Sequence, residues 1–219
     1  MSIHDAGALL RISEIFYSLQ GETSRVGLPT VFIRLTGCPL RCQYCDTAYA
    51  FTGGQNKTLG SILDEVKPYN TRYITVTGGE PLAQKKCGDL LTMLCDAGYQ
   101  VSLETSGALD VSVVDTRVIK VLDIKTPASG EVEKNLWGNL EFLNENDEVK
   151  FVLCDEGDYR WATQLLRERN LSAKCTILFS PSQGQLLPSD LADWILRDRL
   201  AVRLQLQMHK ILWGNVAGR

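Results

Sequence analysis

Short β-branched, apolar segments alternate with helix-patterned segments along most of this chain, and that alternation leaves few folds open. "TVFIRLTG" (Thr30 to Gly37), "RYITVTGG" (Arg72 to Gly79), "YQVSLETSG" (Tyr99 to Gly107), "VIKVLDIKT" (Val118 to Thr126), "DEVKFVLC" (Asp147 to Cys154) and "KCTILFSPS" (Lys174 to Ser182) read as strands. "VRLQLQMHK" (Val202 to Lys210) alternates cleanly and reads as a last strand. Between them lie helical patterns. One opens at Thr58, a plausible N-cap, carries Leu59, Ile62, Leu63 and Val66 on one face, and stops at Pro68. Others run from Pro81 to Gly98, from Tyr159 to Asn170 and from Asp190 to Leu200. Strands separated by helices form parallel βαβ units. About six such strands fall short of the eight of a closed (β/α)₈ barrel. With 219 residues the chain is also shorter than the roughly 250 typical of one. The expected fold is α/β: a partial, open TIM-like barrel of about six parallel strands with a reduced set of helices. The stretch from Ser106 to Arg117 is too short for a full helix. A chain of this size, 44% hydrophobic, fills one core, so residues 1–219 are expected to form a single domain.

Polar residues gather where these strands end. Thr77-Gly78-Gly79-Glu80, Glu104-Thr105-Ser106, Asp123-Ile124-Lys125 and Ser180-Pro181-Ser182 all fall at C-terminal ends, where parallel sheets and barrels build their sites. One such residue can be a cap; four in phase point to a site.

"GCPLRCQYCDT" (Gly37 to Thr47) sets Cys38, Cys42 and Cys45 close together, while the other four cysteines are scattered. Zinc held by the three thiolates and a distant histidine, His209 or His4, is one reading. Zinc cysteines usually come as two close pairs, and no second pair is present. Three thiolates on an iron–sulfur cluster instead leave one iron open to a small molecule. Tyr44, before the last cysteine, can pack beside such a cluster.

Cys38-Pro39-Leu40-Arg41-Cys42-Gln43-Tyr44-Cys45 resembles the cluster motif of radical S-adenosylmethionine enzymes, and "TGGEP" (Thr77 to Pro81) resembles their second signature. The resemblance implies a [4Fe–4S] cluster whose open iron chelates S-adenosylmethionine, with Gly79 and Glu80 at the methionine end. Within that superfamily, "SLQGE" ahead of the cysteine strand, "CDTAY" after it, "ETSG", "LDIKTP", "FSPSQG" and "LQLQMHKILWG" near the C-terminus are similar to the 7-carboxy-7-deazaguanine synthases. The likeness runs from about Glu14 to Gly214. It implies rearrangement of 6-carboxy-5,6,7,8-tetrahydropterin to 7-carboxy-7-deazaguanine with loss of ammonia, a step of queuosine and deazapurine biosynthesis. A 5′-deoxyadenosyl radical takes hydrogen from the pterin and returns it, and Mg²⁺ is also used.

The resemblance assigns roles residue by residue. Leu19, Gln20, Gly21 and Glu22, with Thr77, Glu104 and His209, stand as substrate contacts. Arg34, a charge inside an apolar strand, needs a partner: the substrate carboxylate, or a structural salt bridge. Thr47 matches the Mg²⁺ ligand, with Asp46 orienting the site or capping a turn. Ser106, Asp123, Lys125 and Ser180, Pro181, Ser182 and Gln183 match the cofactor site, Ser106 standing where relatives often carry Asn. Segments 11–28 and 201–219 are expected to cover the substrate. Strand alternation leaves the direction of Glu104 open.

The balance of charge, –3, and the absence of a long basic run argue against a nucleic-acid partner. Apolar runs are too short for a membrane span, and no secretory signal pattern opens the chain, so the cytoplasm is expected. The resemblance further implies a homodimer and a flavodoxin or ferredoxin as electron donor. Two other readings remain: a glycyl-radical activase, which carries a looser version of the segment before the cluster, and a structural zinc module.

Overall fold

The computed structural model describes residues 6–214, 216 and 218; His4 and residues 215, 217 and 219 of the C-terminal segment lie outside them. Among the described residues the strands β1 (Leu9–Leu19), β2 (Pro29–Leu35), β3 (Gln55–Thr58), β4 (Tyr73–Gly78), β5 (Gln100–Thr105), β6 (Ile119–Asp123), β7 (Glu148–Leu153), β8 (Thr176–Pro181) and β9 (Arg203–Leu204) make one sheet. Their order is β3-β1-β2-β4-β5-β6-β7-β8-β9. From β2 to β9 every pairing is parallel. The sheet does not close on itself, and the open TIM-like barrel of six full parallel strands stands. Its flank was not foreseen: β1 runs antiparallel to β2 and β3 antiparallel to β1.

Among the described residues five α-helices accompany the strands: α1 (Leu59–Val66), α2 (Cys87–Asp96), α3 (Glu156–Arg169), α4 (Pro188–Asp198) and α5 (Met208–Trp213). Thr58 caps α1 as expected, its side chain accepting from the Ser61 N–H at 3.1 Å. The helix expected from Pro81 starts only at Cys87, because Pro81–Ala83 form a 3₁₀ turn capped by Glu80. The helix expected from Tyr159 starts earlier, since Asp155 is its N-cap and accepts from the Asp158 N–H at 2.9 Å. The last expected strand is mostly not one. Only Arg203–Leu204 pair with β8; from Gln205 the chain turns toward the β1–β2 hairpin and becomes α5.

No α-helix lies between β5 and β6 or between β6 and β7 among the described residues. Buried Asn139 orders these connections: it accepts from the Val111 N–H and donates to the carbonyls of Gly107 and Leu109. The strands alternate sharply. Ile74 and Val76, Val101 and Leu103, Val149 and Phe151, Ile177 and Phe179 join the helix-packed core outside the sheet. The residues between them, such as Thr75, Thr77, Ser102, Glu104, Asp123 and Lys150, face inward. Phe151 packs edge-on against Phe179, ring centres 5.5 Å apart. The core therefore lies behind the barrel wall, and polar side chains share the interior with Phe16, Phe32, Val121 and Val152.

Candidate active site

The inner face surrounds a cavity of about 850 Å³. Register places its side chains in pairs: Arg34 lies beside Thr77, and Asp123 beside Lys150. Since β1 is antiparallel to β2, their hairpin sits at the N-terminal ends of the parallel strands and floors the barrel. Arg25 donates to the Gln100 carbonyl at 3.2 Å and covers the Tyr73 ring, while Ser24 N–H bonds the Glu148 carboxylate. Thus the hairpin touches the starts of β4, β5 and β7. Every predicted site residue lines this cavity except Glu80.

The cysteine loop closes the opposite end. Cys38, Cys42 and Cys45 are free and half-buried. Burial pushes the Cys42 thiol up to about 11. The loop is braced by its neighbours, with Gln43 N–H bonded to the Ser129 carbonyl at 3.0 Å and the Arg41 guanidinium stacked 4.2 Å from the Phe51 ring centre. Gly79 is required here for a reason other than ligand contact. A Cβ at Gly79 would collide with the Gly37 carbonyl and come within 2.9 Å of the Cys38 Cβ. The second signature and the cysteine loop are packed backbone to backbone. Among the described residues no three His, Cys, Asp or Glu side chains converge as a single metal ion requires. Thiols spread around a loop suit a multinuclear cluster, each on its own iron.

Glu80 departs from its expected role. It is fully buried, and its carboxylate accepts from Thr105 Oγ1, from the Ser106 N–H at 2.6 Å, from Ser106 Oγ and from the Leu82 N–H. It holds the end of β5 instead of facing a ligand. The Ser106 hydroxyl, expected to reach the cofactor, is committed to that carboxylate. Two polar atoms lack a hydrogen-bond partner: Asp123 and Tyr44 line the cavity, and Asp123 Oδ1 and the Tyr44 hydroxyl are buried and unpaired. Burial lowers and Asp123 raises the Lys125 ammonium, which sits at about 12 and holds Asp123 Oδ2 at 2.9 Å. Such orphaned groups beside three thiols fit a polar cofactor with hydroxyl and amine groups. Ser182 Oγ donates to Gln185 at 2.6 Å, shaping the Ser180–Gln183 loop.

The floor is organised around Gln20. Its Oε1 accepts from the N–H groups of Gly21 and Glu22, and its Nε2 bonds Thr75 Oγ1 and Glu104 Oε1. All its side-chain capacity is spent inside the protein, so the amide, expected as a substrate contact, is a brace. Gly21 leaves space for the C-terminal segment: a Cβ there would lie 2.7 Å from His209 Nδ1. Glu104 points inward and also accepts from Thr77 Oγ1 at 3.0 Å. Arg34 has the structural partner foreseen as an alternative, Glu14, at 2.6 Å, and Tyr49 O–H donates to the same oxygen. Its guanidinium still borders the cavity between the Phe16 and Tyr49 rings. His209 Nε2 lies 3.9 Å from Glu22, and burial holds its pKa below the usual histidine value. Thr47 Oγ1 donates to Asp46 Oδ1 at 2.9 Å at the cavity edge.

The sequence reading passed over Lys150, Gln207 and Tyr49. Lys150 carried the same signal as Arg34, a charge inside an apolar strand.

Comparison with known proteins names this site's family. The model of the radical SAM superfamily matches residues 32–123. A 7-carboxy-7-deazaguanine synthase of Chlorobaculum tepidum is 48% identical over 210 residues, covering 94% of this chain and 96% of the relative. The chain belongs to the 7-carboxy-7-deazaguanine synthase family. A synthase of Koribacter versatilis is 40% identical over 219 residues, covering 93% of this chain and 97% of that one. The crystal structure of QueE from Escherichia coli shares the fold, with a TM-score of 0.76 at 23% identity over 91% of this chain and 94% of that one. Membership of the synthase family, within the radical SAM superfamily, implies a [4Fe–4S] cluster and S-adenosylmethionine. Cys38, Cys42 and Cys45 are three free, half-buried thiols lining the cavity.

Proposed function

We propose that this chain is a lyase that rearranges 6-carboxy-5,6,7,8-tetrahydropterin to 7-carboxy-7-deazaguanine and ammonia, for queuosine or related deazapurines. The observation that carries the reading is one cavity lined by three thiols, the carboxyls of Glu22 and Glu104, side-chain amides and the mostly enclosed Arg34 guanidinium. When bound, the cluster and S-adenosylmethionine supply hydrogen-atom abstraction and return. The chain's own residues do the rest. Asp123 and the Tyr44 hydroxyl meet the polar groups of the cofactor. The terminal nitrogens of Arg34, whose Nε is held by Glu14, take the substrate carboxylate. Glu22 and Glu104 face the pterin edge, whose amino and ring N–H groups need acceptors. Thr47, beside Asp46, would hold Mg²⁺ together with substrate oxygens and water.

Segments 20–28 and 205–214 floor and flank the cavity and cover the substrate, within one domain. Residues 11–19 belong to β1 and contribute wall. No helix among the described residues is long and apolar enough to cross a membrane. A cytoplasmic homodimer drawing electrons from a flavodoxin or ferredoxin completes the reading.

The test is anaerobic. Cluster-reconstituted protein with reductant, S-adenosylmethionine, Mg²⁺ and the carboxypterin should release a product of the deazapurine's mass and an equal amount of ammonia. Cofactor cleavage with the carboxypterin left intact would sink the reading. Transfer of a radical to a partner polypeptide would replace it with the activase.

A further inference from the structure

Lys150 stands outside the roles assigned above. It sits in β7 with core residues Val149 and Phe151 on either side, yet its side chain enters the cavity. Its ammonium meets Glu22 Oε2, which lies 128 residues away in sequence on the floor hairpin. The other oxygen, Oε1, accepts from Gln207 Nε2 at 2.8 Å. Both members of the ion pair are mostly enclosed, 13% and 19% exposed. Tethering β7 to the hairpin does not by itself need charges, because apolar replacements for buried ion pairs are often neutral or stabilising. What the charges change is the cavity. Gln20 links Glu22 to Glu104, bonding the backbone N–H of one and the carboxyl of the other. Two carboxyls so placed repel unless a cation attends one of them.

We infer that Lys150 is a positioning residue for substrate recognition, holding Glu22 as the fixed, anionic member of a Glu22–Glu104 pair that grips one edge of the ligand. The inference rests on the carboxypterin reading above. The electrostatics agree with the geometry. Burial pushes both carboxyls up. At Glu22 the Lys150 charge and the hydrogen bonds from Lys150 and Gln207 together outweigh burial, and its pKa falls below the ordinary value, while Glu104, buried and facing the Glu22 charge, rises. The pair thus presents one carboxylate that only accepts and one carboxyl that takes a proton more readily. A pterin edge, with amino and N–H donors beside a carbonyl acceptor, uses both. The groups facing Glu22 are Lys150 from β7, Glu104 from β5, Asp46 from the cysteine loop, and Gln207 and His209 from the C-terminal segment, where Lys210 faces Asp46 and His209.

The experiment compares wild type, Lys150→Met and Lys150→Arg after cluster reconstitution. Measured are iron content, binding of S-adenosylmethionine, melting temperature, and kcat and KM for the carboxypterin from about pH 5 to 9, a span that includes the range where histidine titrates. Lys150→Met should raise KM at neutral pH by about tenfold or more, with a smaller change in kcat. Its acidic limb of kcat/KM should move to higher pH, because Glu22 without its cation takes a proton sooner. Lys150→Arg should restore the wild-type profile, and iron content and cofactor binding should be unchanged in both. A Lys150→Met protein with wild-type KM and pH profile overturns the inference. So does a loss that follows melting temperature and iron content and is not rescued by arginine, which would make the pair structural. If wild type itself leaves the carboxypterin unchanged, the proposed function fails first, and the two failures are told apart by that control.

Discussion

Lys210 donates to Asp46 at 2.6 Å, joining the last helix to the residue after the last cysteine across 164 positions of sequence. Gln207 spans the same gap, reaching both Glu22 at 2.8 Å and Asp46 at 3.1 Å. These bonds carry the C-terminal segment from the β9 edge of the sheet to the floor hairpin and the cysteine loop. It therefore covers the open side that an eight-stranded barrel would have closed with strands. Lys210→Met is expected to loosen this cover and raise substrate KM roughly three- to tenfold, the effect of about 1 kcal/mol from a partly exposed pair. The melting temperature should change by about 2 °C or less, well inside the shift of 1 kcal/mol for a chain this long. Steady-state kinetics beside a thermal melt tests this; an unchanged KM contradicts the covering role.

Gly79→Ala is expected to abolish cluster assembly. The new methyl has no free direction, meeting backbone of Gly37 on one side and the Cys38 Cβ on the other. Backbone cannot rotate out of the way as a long side chain can. Iron per chain and the cluster's visible absorbance after reconstitution should fall to the level of the Cys38→Ala protein. A Gly79→Ala chain that still takes up about four irons, the content of a [4Fe–4S] cluster, refutes this.

Glu80→Ala is expected to act on stability before it acts on chemistry. It strands the Ser106 N–H and the Thr105 and Ser106 hydroxyls, at roughly 1–3 kcal/mol for each buried donor left unpaired. Urea denaturation should show a loss of about 3 kcal/mol or more. If the protein instead keeps its stability and loses only cofactor affinity, the carboxylate contacts the ligand directly.

Glu104→Gln should stabilise the fold at neutral pH while impairing turnover. The folded pKa of Glu104 lies above its unfolded value, raised by burial and by the charge of Glu22. A raised carboxyl is at its most favourable below the unfolded pKa, and its contribution is lost as pH climbs through the folded one. The amide removes that loss. The variant should melt about 2–4 °C higher than wild type near pH 8, the shift of roughly 1 kcal/mol in a chain of this size. Near pH 4, where both side chains are uncharged, the two proteins should melt together. A melting difference independent of pH would mean Glu104 is not the group involved.

Much of the fold was legible because its signals are local. Six buried strands announced themselves by β-branched runs with glycine or polar ends, and Thr58 and Pro68 bounded α1 with chemistry that acts within one turn. The last strand was misread because "VRLQLQMHK" alternates in sequence, yet an edge strand lasts only while a neighbour offers hydrogen bonds. The Gln205 N–H makes the last bond to β8, at the Phe179 carbonyl; beyond it the Gly21 carbonyl takes the Gln205 side-chain amide and the Met208 N–H. The antiparallel pair β1 and β3 was missed because it depends on partners far along the chain.

The sequence by itself determined the class of chemistry: three cysteines at fixed spacing and a glycine pair at a strand end are written within a few residues, and no packing can alter them. Tertiary structure decided what each polar side chain does. Glu80 and Gln20 look like ligands in one dimension, but burial obliges them to satisfy neighbouring N–H and hydroxyl groups first. Lys150 looks like a stray charge in an apolar strand. Only the register of β7 against β6, and the return of the hairpin under the barrel, put it between Asp123 and Glu22. Direction, enclosure and charge partner are long-range properties, and those are what separate a binding residue from a brace.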